Sequence, residues 1–386
     1  MADTFAPRKE DKFSFGLWTV GNPGADPFGP RVRPRIDPVD IVKNLGKLGA
    51  WGVCLHDNDL IPIDATPAEA EQKMKDFEKA LKDNGMIVSM GTTNLFSHPV
   101  FRDGAFTSPD PAVRRYAIQK ICNGMDMCIG RFKTNLYVMW GGREGSDTDC
   151  GKDAVESFKR YREGINYVCH YAKEKKYDVR FAIEAKPNEP RADIYLATTG
   201  SVLGFIATLD YPEMVGVNPE VGHEVMAGLN FYHVVAQAIE AGKLYHLDLN
   251  NQKIGRFDQD LRFASEDIKG AFFLVKLIEE YGYPGPKHFD AHAYRTEDIE
   301  GVWDFAYGCM RSYKILQHKA KLFAKDKEIQ ALVRKDLAQP SPKFSKEGHA
   351  KILKEKFDIE KMAEKGYGYE KLDQLVFDLL LGVRGS

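Results

Sequence analysis

Apolar and polar positions alternate along this chain with two different periods. Eight short apolar runs, rich in β-branched and aromatic residues, have the length of β-strands, and a longer segment with helical spacing follows each of them. The runs begin at Phe13, Gly52, Ile87, Thr134, Arg180, Val215, Lys243 and Gly285. Because every parallel strand needs a crossover helix, this alternation predicts an α/β fold, a (β/α)8 TIM barrel.

Local signals support the helices and argue against the rival fold. The first long helical segment starts with Asp37 as N-cap and Pro38 at the first helical position. A doubly wound sheet, the other fold with this alternation, usually carries a glycine-rich phosphate loop after its first strand. Residues 21–30, GNPGADPFGP, do not fit that pattern, so the barrel is favoured.

The strand pattern stops near residue 322. We therefore predict a barrel catalytic domain at 1–322 and an extended helical arm at 323–386. The apolar residues of the arm are too sparse for a core of their own, yet they recur at helical spacing. An arm that packs on a neighbouring subunit is favoured over a flexible tail, since amphipathic helices must bury their apolar stripe.

Composition excludes several classes of partner. The chain has 386 residues, of which 43% are hydrophobic, and its net charge of −2 favours neither nucleic acid nor an anionic membrane as partner. No apolar run approaches the roughly 18 to 20 residues of a spanning helix, and the N-terminus lacks the apolar core of a signal peptide. The six cysteines form no C-x-x-C pair. We expect reduced thiols and a cytoplasmic location.

Acidic, histidine and aromatic residues recur at the carboxyl ends of the predicted strands, where TIM barrels build their active sites. In chain order these positions are Trp18, His56 to Asp59, Thr92, Phe96, Trp140, Glu184, Lys186, Glu220, His223, His246, Asp248, Asn250 and Asp290, with Asp258 and Asp260 after the seventh strand. Residues two apart on a strand share a face, so Glu184 and Lys186 are expected to point the same way.

Carboxylates from four consecutive strands cannot share a low-dielectric pocket unless a cation neutralises them. The candidates for this first ion are Glu184, Glu220, Asp248 and Asp290. An all-oxygen site suits Mg²⁺ or Mn²⁺. Candidates for a second, adjoining ion are Glu220, His223, Asp258 and Asp260, a mixed set that suits Mg²⁺, Mn²⁺ or Co²⁺. Two divalent ions per subunit would bring the charge of these groups and Lys186 close to neutral.

Two further features indicate a catalytic pocket. An inward-facing lysine such as Lys186 needs anionic partners, which the carboxylates supply. Trp18, Phe96 and Trp140 would form an apolar wall that excludes water, although each alone is typical of an ordinary core aromatic residue.

This chain resembles the xylose isomerases of the shorter, actinobacterial-like class. The resemblance is carried by FGLWTVG, HDND, TTNLFSHPVF, WGGREG, FAIEAKPNEPR, GVNPEVGHEVMAGLNF, HLDLN, FDQDLRF and FDAHAYRTED, and it extends from about Phe13 to the C-terminus. It implies metal-dependent interconversion of D-xylose and D-xylulose, and of D-glucose and D-fructose. It also implies a homotetramer in which the C-terminal arm embraces a partner subunit.

The resemblance implies roles for individual residues. The two ligand sets named above are the ones that it implies for the first and second ions. It assigns His56, paired with Asp59, to opening the sugar ring, and Lys186 to holding the carbonyl oxygen of the substrate. Trp18, Phe96 and Trp140 would line the pocket, and Phe28 would reach in from a neighbouring subunit. Thr92 is a further candidate contact for the substrate.

Three places depart from the family pattern. Asn58 stands where aspartate is usual, Ala185 stands where proline is usual, and Ala291 to Tyr294 replace a phenylalanine, a lysine and prolines. None of these is a proposed ligand. His292, next to Asp290, could alter the packing of the loop or add a metal donor.

Two other functions remain open at this point. A related metal-dependent barrel, such as a ketose epimerase or an abasic-site endonuclease, would share the strand-end carboxylates, but an endonuclease predicts a basic rim and a third, histidine-rich metal site. A non-catalytic sugar-binding protein would have no need of Lys186 or the His56–Asp59 pair. Because no carboxylate is left free of metal to move a proton between C1 and C2, a metal-assisted 1,2-hydride shift is favoured over an enediol route.

Overall fold

The strands follow one another in the predicted order. A computed structural model describes residues 3–333 and 342–385, and its strands are β1 Phe13–Gly16, β2 Gly52–His56, β3 Ile87–Thr92, β4 Leu136–Trp140, β5 Gly145–Ser146, β6 Arg180–Glu184, β7 Asp193–Ile194, β8 Val215–Asn218 and β9 Lys287–Phe289. The main sheet is parallel, with the order β8-β6-β4-β3-β2-β1-β9. Strands β5 and β7 form a separate antiparallel pair.

The segment from Lys243 closes this sheet into a barrel without forming a regular strand. On one side, the Val217 amide donates to the Lys243 carbonyl over 2.8 Å. On the other side, the Leu249 amide donates to the His288 carbonyl over 2.8 Å. The backbone of Asp248 forms isolated parallel β-bridges with Glu220 and with His288. The predicted α/β barrel is therefore confirmed, with its seventh strand present as an extended segment between β8 and β9.

Many of the helices begin after a residue whose side chain caps the first turn. They are α1 Leu17–Val20, α2 Pro38–Leu48, α3 Asp57–Leu60, α4 Pro67–Asp83, α5 Pro111–Met125, α6 Ala154–Glu174, α7 Thr199–Ile206, α8 Val221–Met226, α9 Phe231–Glu240, α10 Ile268–Glu280, α11 Ile299–Lys325, α12 Lys327–Leu332, α13 Lys346–Ile352, α14 Ile359–Ala363 and α15 Tyr369–Leu380. Asp37 accepts a hydrogen bond from the Val39 amide over 2.9 Å, which confirms the predicted start of α2. None of the helices in the described ranges is long and apolar enough to cross a membrane.

The apolar runs extend beyond the strands that they predict, and after β1 and β2 the chain turns at once into short helices. The run from Phe13 leaves the sheet after Gly16, and Leu17–Val20 forms the single turn α1, in which Thr19 Oγ1 donates to the Gly16 carbonyl. After His56, residues Asp57–Leu60 form the turn α3. The strand prediction was wrong for these residues, because local hydrogen bonds outweigh the apolar pattern. These turns direct the residues after β1 and β2 over the mouth of the barrel.

Part of the interior of the barrel is an apolar layer. Cys54, Met90, Leu136, Val138 and Ala182 form one buried cluster, and Trp18 and Tyr245 pack against it. Strands buried on both faces read as continuous apolar runs, as parallel strands do. This packed layer supports the side chains that project above it.

The chain divides into two units, Met1–Ile315 and Leu316–Ser386, at a point inside α11. Within the second unit, Arg384 donates to Asp326 over 2.6 Å, and Lys319 Nζ donates to the Leu379 carbonyl over 2.6 Å. The prediction that residues 323–386 pack on a neighbouring subunit concerns contacts between chains, and it stays a prediction.

Candidate active site

A cavity of about 240 Å³ opens at the carboxyl ends of the barrel strands. A water molecule occupies about 30 Å³ of the liquid, so the cavity has room for a small organic molecule. It is lined by Met90 and Val138 together with the predicted residues Trp18, His56, Thr92, Phe96, Trp140, Glu184, Lys186, Glu220, His223, Asp258, Asp260 and Asp290.

The pairing of the strands explains why these residues meet. His56 of β2 lies opposite Thr92 of β3. Trp140 of β4 lies opposite Glu184 of β6, and Glu184 lies opposite Asn218 of β8. The last residues of neighbouring parallel strands therefore stand at one level and face the mouth of the barrel.

Glu220 is common to the acidic groups at this site. Three groups of side chains have possible ligand atoms within 4.8 Å of one another, and each group includes Glu220; they are Glu184–Glu220–His223, Glu220–Asp248–Asp290 and Glu220–Asp258–Asp260. The structure thus brings all seven predicted metal ligands together. It also places Glu220 between the two predicted sets, as a bridging carboxylate requires.

Two asparagine amides hold the carboxylates in place. Asn218 Nδ2 donates to Asp248 Oδ2 over 2.6 Å and to Glu184 Oε2 over 3.2 Å. Asn250 Nδ2 donates to Glu220 Oε1 over 2.8 Å and to Asp260 Oδ1 over 3.1 Å. Asn218 is not among the site residues predicted from the sequence. Its position could have indicated a role at the site, since Asn218 lies at a strand end two residues before Glu220.

The buried carboxylates repel one another. Burial, with the nearby charges of Asp248 and Asp290, raises the pKa of Glu184 well above its usual range. Burial and the Asp258 and Glu184 carboxylates raise the pKa of Glu220 in the same way. Burial also raises the pKa values of Asp260 and Asp290, each of which faces further carboxylates. Without a cation the cluster binds protons that these groups would otherwise release.

Lys186 and His223 converge on Asp258. Lys186 Nζ donates to Asp258 Oδ2 over 2.8 Å, and His223 Nε2 lies 3.0 Å from the same oxygen. Burial alone would lower the pKa of Lys186, but the attraction of the Asp258 carboxylate is stronger than this effect, so the pKa of the lysine is raised. Burial likewise opposes ionisation of Asp258, but His223 and Lys186 lower its pKa. Asp258 is therefore held as an anion by these two partners.

The donor set fits divalent cations. Among the described residues, Asp248 Oδ1, Asp258 Oδ1 and His223 Nδ1 are buried without a hydrogen-bond partner. Buried polar atoms are seldom left in this state unless an ion or water satisfies them. Carboxylate oxygens with a single imidazole suit Mg²⁺, Mn²⁺ or Co²⁺.

Aromatic rings form one wall of the cavity. The ring centroids of Trp18 and His56 are 4.4 Å apart, those of His56 and Phe96 are 5.5 Å apart, and those of Phe96 and Trp140 are 4.6 Å apart. Lys186 Nζ lies 5.5 Å from the centre of the Trp140 ring. Trp18 Nε1 donates to Asp290 Oδ1 over 2.8 Å, which joins this wall to the carboxylates.

His56 and Asp59 form a pair at the edge of the wall. His56 Nδ1 lies 3.1 Å from Asp59 Oδ2, and the same oxygen accepts from the His56 amide over 2.7 Å. Behind them, Lys120 Nζ donates to Asp57 and to Asn58 Oδ1, the latter over 3.1 Å. The departure at Asn58 is therefore accommodated by a lysine on α5.

Three other positions singled out in the sequence do not line the cavity. Phe28 is 99% exposed in the single chain and does not line the cavity, so its contact with a neighbouring subunit stays a prediction. His292 Nδ1 lies 3.1 Å from the Ala293 carbonyl, and none of the clusters found among the described residues includes it. Ala185 is buried between Glu184 and Lys186.

Comparison with known proteins gives one consistent result. Residues 39–313 match the family model described as "Xylose isomerase-like TIM barrel". The chain is 53% identical to the xylose isomerase of Thermus thermophilus over 387 aligned positions, which cover 99% of this chain and 100% of that protein. It is 50% identical to the xylose isomerase of Thermus caldophilus, with the same coverage.

Solved structures agree on the fold. A putative xylose isomerase from Rhodospirillum rubrum superposes with a TM-score of 0.61, covering 78% of this chain and 98% of the other. The two sequences are only 16% identical, so this likeness concerns the barrel alone.

Proposed function

This chain belongs to the xylose isomerase family, and we propose that it interconverts D-xylose and D-xylulose, and D-glucose and D-fructose, at the cluster around Glu220. The observation that carries the proposal is the convergence of three acidic groups on Glu220 beside the buried Lys186 and an aromatic wall. A sugar-binding protein without turnover would not need a buried ammonium among these carboxylates.

We propose that two divalent ions, Mg²⁺ in the first instance, occupy the cluster. Glu184, Glu220, Asp248 and Asp290 would hold one ion, and Glu220, His223, Asp258 and Asp260 the other. When bound, such ions act as Lewis acids that polarise the oxygens of the sugar. Asn218 and Asn250 would keep the carboxylates in position through the hydrogen bonds that they donate.

His56 and Asp59 are the proposed pair for ring opening. Asp59 Oδ2, 3.1 Å from His56 Nδ1, would accept a hydrogen bond from the protonated Nδ1 and so keep Nε2 unprotonated, as the acceptor. The proton of the anomeric hydroxyl would then pass to Nε2 as the bond between C1 and the ring oxygen breaks, and the imidazolium would return that proton to the ring oxygen. The rings of Trp18 and Phe96 pack against the imidazole and restrict its orientation.

Lys186 is the proposed donor to the carbonyl oxygen. Its ammonium is buried and anchored by Asp258, so it can compensate negative charge on that oxygen without first being desolvated. The pocket carboxylates, in the described part of the chain, all belong to the acidic groups around Glu220. A proton shuttle between C1 and C2 therefore lacks a carboxylate free of metal, and transfer of hydride within the sugar is favoured.

Assembly and location are also proposals. The second unit carries exposed apolar side chains on and beside α13 and α14, namely Phe344, Leu353, Ile359 and Met362. Such side chains need cover, which supports an arm that packs on a neighbouring subunit in a homotetramer. The expected location is the cytoplasm. Sedimentation of the full chain at several concentrations tests the tetramer, and a monomeric mass would contradict it.

One assay tests the function. The metal-free protein is mixed with D-xylose, with and without Mg²⁺, and the products are separated by chromatography. We expect D-xylulose only when Mg²⁺ is present. A pentose product that is inverted at one carbon would indicate an epimerase instead. Sugar that is bound but unchanged would indicate a binding protein.

A further inference from the structure

A second cluster of metal-binding side chains lies inside the barrel, apart from the acidic groups around Glu220. Cys54 of β2, His246 of the closing segment and His288 of β9 are fully buried, and each offers one ligand atom within 4.8 Å of the others. Cys54 Sγ lies 3.4 Å from His288 Nδ1. The centroids of the two imidazoles are 5.3 Å apart.

The hydrogen bonds within this cluster are incomplete. Among the described residues, Nδ1 of His246 and Nε2 of His288 are buried without a hydrogen-bond partner, and Nε2 of His246 has only Asp248 Oδ1 nearby, at 3.3 Å and outside good hydrogen-bond geometry. An ordinary buried histidine donates from one nitrogen and accepts at the other. A set of buried imidazoles that fails to do so, next to a thiol, calls for a ligand that the protein groups do not supply.

We propose that Cys54, His246 and His288 form a binding site for a third cation, a borderline or soft ion such as Zn²⁺, Co²⁺ or Cd²⁺. Thiolate and imidazole are the donors that such ions prefer, whereas Mg²⁺ prefers oxygen. The 3.4 Å between Cys54 Sγ and His288 Nδ1 is near the separation of two ligands on one tetrahedral ion, given metal–ligand bonds of about 2.0 to 2.3 Å.

Nearby groups can complete the site. Ser89 Oγ lies 3.2 Å and Ser14 Oγ 3.9 Å from Cys54 Sγ, so a hydroxyl is available as a fourth donor or as a hydrogen-bond donor to the thiolate. His246 Nε2 lies 3.3 Å from Asp248 Oδ1, which adds negative charge beside the site. Because Asp248 also belongs to the proposed ligands of the first catalytic ion, an ion at the Cys54 site would lie next to the acidic groups around Glu220. We expect such an ion to inhibit turnover.

Absorption spectroscopy tests the site without relying on catalysis. The protein is saturated with Mg²⁺ to fill oxygen-rich sites and is then titrated with Co²⁺. Binding through Cys54 produces an intense near-ultraviolet charge-transfer band from thiolate to cobalt, which oxygen and imidazole ligands do not produce. We expect one equivalent of this band in the wild type and none in Cys54→Ser.

Two variants control for other thiols. Cys150→Ser removes the exposed cysteine that a metal ion in solution would reach first, and Cys309→Ser removes another buried cysteine. Both should keep the band. A band that persists in Cys54→Ser, or no band in the wild type, overturns the proposal.

A second measurement needs no variant and covers the case in which Cys54→Ser does not fold. X-ray absorption of the Mg²⁺-saturated wild type loaded with one equivalent of Zn²⁺ should show a sulfur neighbour at about 2.3 Å. Oxygen and nitrogen neighbours alone would contradict the site. Neither result depends on whether the chain isomerises xylose, so the two proposals can fail separately.

Discussion

Lys186 Nζ donates a hydrogen bond to Asp258 Oδ2 over 2.8 Å, and His223 Nε2 lies 3.0 Å from the same oxygen. The Asp258 carboxylate thus contacts both Lys186, which is proposed to donate to the substrate, and His223, which is a proposed metal ligand. The effects of substituting Lys186 and His223 should not be additive, because each substitution removes a positive or polar partner from Asp258.

Metal binding should stabilise the protein more strongly as the pH rises. Glu184, Glu220, Asp260 and Asp290 have folded-state pKa values raised above the ordinary 4.5 and 3.8. A carboxyl group whose pKa is raised by folding favours the folded state at low pH. This contribution to stability is fully present below the pKa of the group in the unfolded chain, and it is lost as the pH rises through the pKa of the group in the folded protein. The metal-free protein should therefore lose stability above about pH 4 to 5, and Mg²⁺ should restore it.

Calorimetry at pH 5, 6, 7 and 8, with EDTA or with Mg²⁺, measures this effect. The quantity to compare is the difference in Tm between the two conditions, which should grow with pH. Burial lowers the pKa of His288 to about 4, which acts in the opposite direction. That contribution is largely complete above the ordinary histidine pKa of 6.5, so the values at pH 7 and 8 are the least affected by it. A constant difference, or full turnover after exhaustive dialysis against EDTA, would contradict the two-metal proposal.

His56→Asn should lower turnover on the cyclic sugar by about a hundredfold, because it removes the proposed acid–base group. The bound metal should stay, since His56 belongs to none of the ligand groups found in the described residues. Turnover and metal content are measured on the same sample. Loss of metal in this variant would make His56 a ligand and contradict its role in ring opening.

Lys186→Met should lower turnover about a hundredfold or more, because losing one preorganised donor to an oxyanion typically costs about 2.7 to 4 kcal/mol in the transition state. The metal content should not change. Lys253→Met, at a mostly exposed lysine outside the cavity, is the matched control and should retain activity. Equal losses in both variants would show that the effect is not specific to the pocket.

Isotope incorporation distinguishes the two chemical routes. If hydride moves within the sugar, reaction in D₂O should leave C1 of D-xylulose almost free of deuterium, as measured by NMR or mass spectrometry. Extensive labelling would require a base that exchanges its proton with solvent. His56, the base in the cavity lining that belongs to none of the acidic groups around Glu220, would then be the first group to test.

Much of this molecule could be predicted from local pattern. Eight apolar runs separated by helical segments are enough for a parallel barrel, because a parallel strand can be reached only through a crossover. The two-residue period of a strand places Glu184 and Lys186 on one face. The position of active sites in barrels then brings the strand-end carboxylates together. These inferences depend on properties that neighbouring residues share.

Other features depend on distances between strands that are remote in the sequence. The sequence alone did not indicate that Asn218 would donate to both Asp248 and Glu184, or that Lys186 would pair with Asp258. It also did not reveal the approach of Cys54 to His288, which are 234 positions apart. Closure of the barrel, the pairing register and the short turns after β1 and β2 set these distances. Sequence periodicity therefore determined which face each side chain occupies, and only tertiary packing decided which side chains meet across the barrel.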